Sequence, residues 1–152
     1  MAAGSWVLFD SFKERMGDNS IDIDDASAGA FKAMMLTSSY TPDLTDVFVS
    51  DLGAVEVDGT SNSYARVDLT NVVWVNTSGT LKWDCDDIAF AASGASIIAK
   101  YIALYYHTGS TADSDRQLVG YVDMNTAGAS VTTEDGNTYV LQIDSAGVFT
   151  LT

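Results

Sequence analysis

From Phe31 onward the apolar residues of this chain recur at every second position in short runs, and turn-forming residues close each run. That period belongs to an extended backbone, whose side chains alternate between two faces; a helix would repeat its apolar positions every three or four residues. Phe31, Ala33 and Met35 alternate around Lys32 and stop at Thr37, Ser38 and Ser39. Ala54 to Val57 reads as a short strand, while Pro42 to Leu52 fits either a short helix over 43–49 or an edge strand. Val67, Leu69, Val73 and Val75 are expected on one face, and Asn76 to Gly79 turns the chain. Leu81, Trp83 and Cys85 then alternate with Lys82, Asp84 and Asp86, the pattern of a strand half in water. At Ile88 and Phe90 the phase has slipped by one, which requires a bulge or a strand break near Asp87.

Ile97 to Tyr106 is apolar on both faces and rich in β-branched and aromatic residues, so it predicts a central strand covered on both sides. Leu118, Gly120, Val122 and Met124 make another strand. Val131 and Thr132, then Tyr139 to Ile143, flank Glu134 to Asn137, which predicts a hairpin, and Val148 to Leu151 closes the series. Turn signals about 8–12 residues apart indicate a sandwich, jelly roll or barrel. The expectation is an all-β fold of β-sandwich or jelly-roll-like antiparallel sheets with one short N-terminal helix. It is read as one domain over 1–152, with an N-terminal helix and arm at 5–17 and the sandwich at 29–152.

The helix is read from Trp6, Phe9, Phe12 and Met16, which fall near one stripe, with Ser5 as its cap and Gly17 just past its end. The first residues lack a basic start and reach Asp10 before any long apolar run, unlike a secretory signal. No run of apolar residues is long enough for a membrane-spanning helix.

Charge narrows the partners. Twenty-one acids against 7 bases leave a net charge of −14. Such a surface repels phosphate, which argues against nucleic acid and anionic membranes and leaves solubility in salt or a basic protein partner.

Catalytic and metal-binding patterns are absent from the sequence. One cysteine, Cys85, and one histidine, His107, remove most zinc-ligand chemistry and any intrachain disulfide. Counting from Asp18, the acidic stretch Asp18 to Asp25 has Ile23 where a calcium loop needs glycine and Gly29 where it needs glutamate. No Gly-x-Ser-x-Gly elbow accompanies His107. The chain is therefore read as a non-enzyme with no cofactor and no metal. Tyr101, Tyr105, Tyr106 and Tyr121, with Trp74 and Trp83, allow a carbohydrate platform, although core and subunit contacts use the same residues. Two sets of residues are candidate protein-interface positions. One is the stripe of Trp6, Phe9, Phe12 and Met16, which needs either a partner or the chain's own sheet to cover it. The other is the acidic knot of Asp84, Asp86 and Asp87, placed to meet arginines of a partner.

Five segments in order carry a family resemblance. They are Trp6 to Glu14, Phe31 to Pro42, Leu81 to Phe90, Ala92 to Tyr101 and Ala146 to Leu151. Together they resemble a family of small tailed-bacteriophage virion proteins. The resemblance implies a capsid decoration (cement) protein, β-rich and commonly a homotrimer. Such a protein binds the major capsid protein on the outer surface of the head, and is soluble in the host cytoplasm before assembly. The alternative is a carbohydrate- or receptor-binding module of a tail or fibre.

Overall fold

The structure, a computed structural model, describes residues 3–107 and 109–151. Its strands pair only antiparallel. β1 (Val7–Leu8), β2 (Phe31–Leu36), β3 (Val67–Asp68), β8 (Tyr101–Tyr106) and β9 (Gln117–Asp123) form a five-stranded sheet in the order β1-β9-β8-β2-β3. β4 (Val73–Thr77), β5 (Thr80–Asp84) and β12 (Phe149–Leu151) form a second sheet in the order β12-β5-β4. β6 (Ile88–Ala91) pairs with β11 (Thr138–Leu141), and β7 (Ile97–Ala99) with β10 (Val131–Thr133). The all-β antiparallel expectation holds, with the one α-helix α1 at Asp10–Asp18.

The two larger sheets meet through aromatic rings. Phe31 of β2 lies 5.1 Å from Trp83 of β5, edge to face, and Trp83 stacks on Phe149 of β12 at 5.7 Å. Trp83 is fully buried, and its indole N–H donates to the Ile23 carbonyl at 2.9 Å. That bond satisfies the ring's one polar atom inside the core. β2 and β8 are buried on both faces: opposite Trp83, Tyr40 from the segment between β2 and β3 packs on Tyr101 and Arg66 lies over the Tyr105 ring. Tyr64 from that segment stacks on Phe90 and accepts the Met35 N–H at 2.8 Å.

The helix starts later than the apolar stripe predicts. Val7 and Leu8 pair with Tyr121 and Gly120 of β9, and Phe9, not Ser5, holds the N-cap position without a side-chain bond. Phe48 bridges the outer edge of β9 at Gln117, but from Val119 to Tyr121 that edge depends on these residues, and the extended pairing outweighs one more helical turn. A Cβ at Gly120 would stand 2.9 Å from the Val7 carbonyl, so glycine permits this close approach. The other end also moves: Gly17 lies inside the helix, and Asn19 closes it with φ 60°.

Three further expectations are corrected, and one left open is decided. The stretch Ile97 to Tyr106 is not one strand but two, bent at Lys100, whose N–H donates to Leu36 while its carbonyl accepts from Met124. Only the β8 half is covered on both sides; Ile98 of β7 is 56% exposed. Glu134 to Asn137 is a turn but not a hairpin, because its flanking strands pair with β7 and β6 instead of with each other. The turn folds against the 92–96 segment: Gly136 donates to Ala92, Ala92 to Asn137, and Gly94 to Asp135. Ala54 to Val57 contributes a single bridge, Leu36 to Glu56; of the two readings open for Pro42 to Leu52, the edge strand is met only by one bridge, Phe48 to Gln117, which a 3-10 turn at Val49–Leu52 follows.

The slip near Asp87 is a strand break: β5 ends at Asp84 and β6 begins at Ile88. Beside it, Gly147 at φ +80° brings the chain so close to β5 that a Cβ would sit 2.5 Å from the Trp83 carbonyl.

Candidate interface surfaces

The helical stripe is covered by the chain itself. Phe9 and Phe12 are fully buried, 5.7 Å from Tyr121 and 5.7 Å from Phe149 respectively. Trp6 and Met16 are half-buried against the same core. Of the two surfaces open to the stripe, the chain's own sheets take it, so Phe9 and Phe12 reach no partner in the folded chain.

The acidic knot does not converge on one point. Asp84 pairs with Lys82 at 2.7 Å. Asp86 accepts from the Thr70 hydroxyl at 2.8 Å and the Asn71 amide at 2.7 Å, which closes the loop before β4 onto the end of β5. Asp87 accepts the Ile143 N–H at 2.9 Å and so anchors the chain after β11. Asp86 and Asp87 remain exposed while bracing these loops. They present negative charge outward, but three acids bonded to three different elements are not a paired-carboxylate site.

Between Asp84 and Asp86 the Cys85 thiol is buried, and burial, reinforced by the three carboxylates, pushes its pKa up to about 12. The thiolate is the reactive form. Native protein at pH 8 is therefore expected to react with a thiol reagent at least about 100-fold more slowly than denatured protein, because labelling waits for local opening. Equal rates would show that the 85–87 segment is open.

The aromatic residues proposed for a sugar platform are divided between environments. Tyr105 and Trp83 are fully buried. Tyr101 and Tyr121 pack edge-to-face with Tyr40 at 5.6 and 6.1 Å, whereas Tyr106 packs on Phe31 at 5.0 Å. Register places Tyr101 and Tyr106 on opposite faces of β8, so the four tyrosines do not form one exposed row.

Tyr106 also borders an open hollow of about 660 Å³ with Asp25, Ser27 and His107. The Tyr106 hydroxyl donates to Asp25 at 3.3 Å, and Asp25 is held below the usual carboxylate range by the Ser27 hydroxyl and N–H. His107 accepts the Gly109 N–H on Nδ1, a loop histidine bonded to backbone. Among the described residues no group of His, Cys, Asp or Glu is arranged to hold a metal ion.

Cations and acids are distributed unequally. Lys13, Lys32, Arg66, Lys82, Lys100 and Arg116, six of the chain's 7 bases, pair with carboxylates of the same chain. Arg15 lies over the Phe48 ring instead. The exposed Asp43, Asp58, Asp86, Asp87 and Asp135 accept from hydroxyls, amides and backbone N–H groups and join none of those pairs. The densest cluster is centred on Arg66, which bonds Glu56 at 2.7–2.9 Å and Asp113 at 2.7–2.9 Å. Arg116 also bonds Asp113, at 2.6 Å, and the two guanidiniums flank the buried Tyr105 ring.

The residues that sequence reasoning misplaced are Val73 and Val75. They are 41% and 40% exposed, while Trp74 between them turns inward to Phe149 at 5.9 Å. Four consecutive apolar residues, Val72 to Val75, leave the phase of the strand ambiguous, and the larger ring takes the core.

These features define an antiparallel all-β protein whose surface carries exposed acids outside the ion pairs above, together with exposed β-branched residues. Compared with known protein families, curated proteins and solved structures, the chain matches none. No helix among the described residues is long and apolar enough to cross a membrane.

Proposed function

We propose that this protein is a virion structural protein of the capsid decoration type, which attaches to the outside of a tailed-phage head and stabilises it without chemistry of its own. The observation that carries the reading is the charge arrangement. The chain neutralises nearly all its own cations and turns its surplus acids outward, a surface suited to a basic protein partner and unsuited to packaged DNA. The ordered resemblance of five segments to phage virion proteins supports the same reading. The partner is the major capsid protein, and the protein acts as a homo-oligomer.

Particles lacking the protein are expected to assemble but to rupture at lower temperature, or after milder low-salt shock, than complete particles. Binding at each site adds to shell stability by linkage. Replacing Asp86 and Asp87 together by Asn is expected to weaken attachment by about 3–10-fold at low salt, with the difference shrinking as salt rises. Deficient particles that match complete ones in heat resistance but fail to adsorb to cells would reject the decoration reading. That result would favour a receptor-binding module.

A further inference from the structure

β4 stands at the edge of its sheet, and its features are those of an edge made to be paired. It is the longest edge strand among the described residues; β1 and β3 have 2 residues each, β7, β10 and β12 have 3, β6 and β11 have 4 and β4 has 5. Its register against β5 runs without a bulge from Val73–Asp84 to Thr77–Thr80. Soluble proteins protect such edges with charges, proline, bulges or brevity, because each unpaired N–H and C=O is a template for another strand. At the far side of the other sheet, β3 shows that protection: it is short, and Asp68 forms an ion pair with Lys32. β4 has none of these devices. Leu69 to Leu81 is the longest stretch of the sequence without a charged residue.

We propose that β4 is a self-association edge, at which two copies of this chain pair antiparallel through Val73–Thr77 and join their three-stranded sheets into one. Two arguments choose a second copy as the occupant. Two chains of −14 repel everywhere except where charge is locally absent, and β4 lies in such a region. The nearest charges on its outer face, Lys82 beside Val75 and Asp84 beside Val73, neutralise each other at 2.7 Å.

The strand is also self-complementary about Val75. A two-fold pairing sets Val75 against its own copy, Val73 against Thr77 and Trp74 against Asn76. This arrangement places β-branched residues in cross-strand contact and covers the exposed Val73 and Val75. The inference does not depend on what the assembled protein attaches to, and its two-fold pairing is a dimer rather than the trimer that the resemblance implies.

Sedimentation of the full chain across micromolar to millimolar concentration tests it. Dimerisation is expected to strengthen as salt rises, because screening removes repulsion between like-charged copies, whereas attachment to a basic partner weakens with salt. Val75→Lys sets two like charges against each other across the edge and is expected to raise the dissociation constant by at least about 10-fold, with the circular dichroism of the chain unchanged. Val75→Thr, uncharged and β-branched, is expected to stay within about 3-fold of the parent. Facing Cα atoms about 4.5–5.5 Å apart suit a disulfide, so Val75→Cys is expected to give a covalent dimer on oxidation, whereas Val140→Cys is not. A monomer at every salt and concentration overturns the proposal. So does a trimer, or an association that Val75→Lys leaves intact and Val75→Cys does not trap.

Discussion

Replacing Trp83 by Ala is expected to lower stability by about 3–5 kcal/mol, the range for removing a large ring from a core. For a chain of this length that corresponds to a fall in melting temperature on the order of 10 °C. The effect is large because Trp83 joins three parts of the molecule: it touches Phe31 of the five-stranded sheet, stacks on Phe149 of β12 and donates to Ile23 in the loop after α1. Truncation opens a void between the sheets and leaves a carbonyl without its donor. Trp83→Phe keeps most of the ring volume but not the N–H, and is expected to recover more than half of the loss. Thermal melts of the two variants measure both values. A loss below about 1 kcal/mol for the alanine variant would mean that the sheets do not pack through this residue.

Arg66→Met is expected to cost about 2–3 kcal/mol, less than a fully buried pair would, since the side chain of Arg66 is 19% exposed and that of Asp113 39%. The variant leaves Glu56 without its cation, and Asp113 with Arg116 alone. The cluster also sets a response to acid. The Arg66 guanidinium, ahead of Arg116, holds the Asp113 carboxyl below its ordinary range. A carboxylate whose folded pKa is depressed contributes stability that is present above the unfolded value and lost as pH falls through the folded one. Stability is therefore expected to decline below about pH 4, where unfolded aspartates take up protons. Asp46, raised mainly by burial, acts in the opposite sense and softens that decline. In Arg66→Met the Asp113 contribution shrinks, and the acid limb of the denaturation profile is expected to flatten. An unchanged limb would remove Asp113 from the account.

The fold class was legible because period two, once established at Phe31, survives to Leu151, and because turn residues mark most strand ends. The break at Asp87 was legible as a change of phase. What pairs with what was not. The Glu134 to Asn137 turn has every local mark of a hairpin, yet β10 and β11 each find a partner in the Ile88 to Ala99 segment, far away in sequence. The start of α1 differs for a related reason: Trp6, Phe9, Phe12 and Met16 share one helical stripe that runs past Val7 and Leu8, and only the open edge of β9 selects the strand there. Of the candidate interface, the stripe was visible but its occupant was not, because an apolar face carries no label for what covers it. The exposed Val73 and Val75 were hidden inside an apolar run whose phase depends on Trp74 meeting Phe149.

The unprotected edge of β4 also bears on how the chain reaches this fold. β4 and β5 are joined by the two-residue turn Ser78–Gly79, with both residues at positive φ, and this hairpin is the most local strand pairing among the described residues. Hairpins of this kind close in about 1–10 μs, whereas sheets built from distant segments take milliseconds to seconds. The five-stranded sheet is of the slow kind: Val7 must find Tyr121, and Phe31 must find Tyr106. During that interval the hairpin, marginal by itself, presents an uncharged strand edge whenever it closes, on a chain with no core to shelter it. The surplus acids then act as a kinetic guard, keeping nascent chains apart until the native partner surfaces exist.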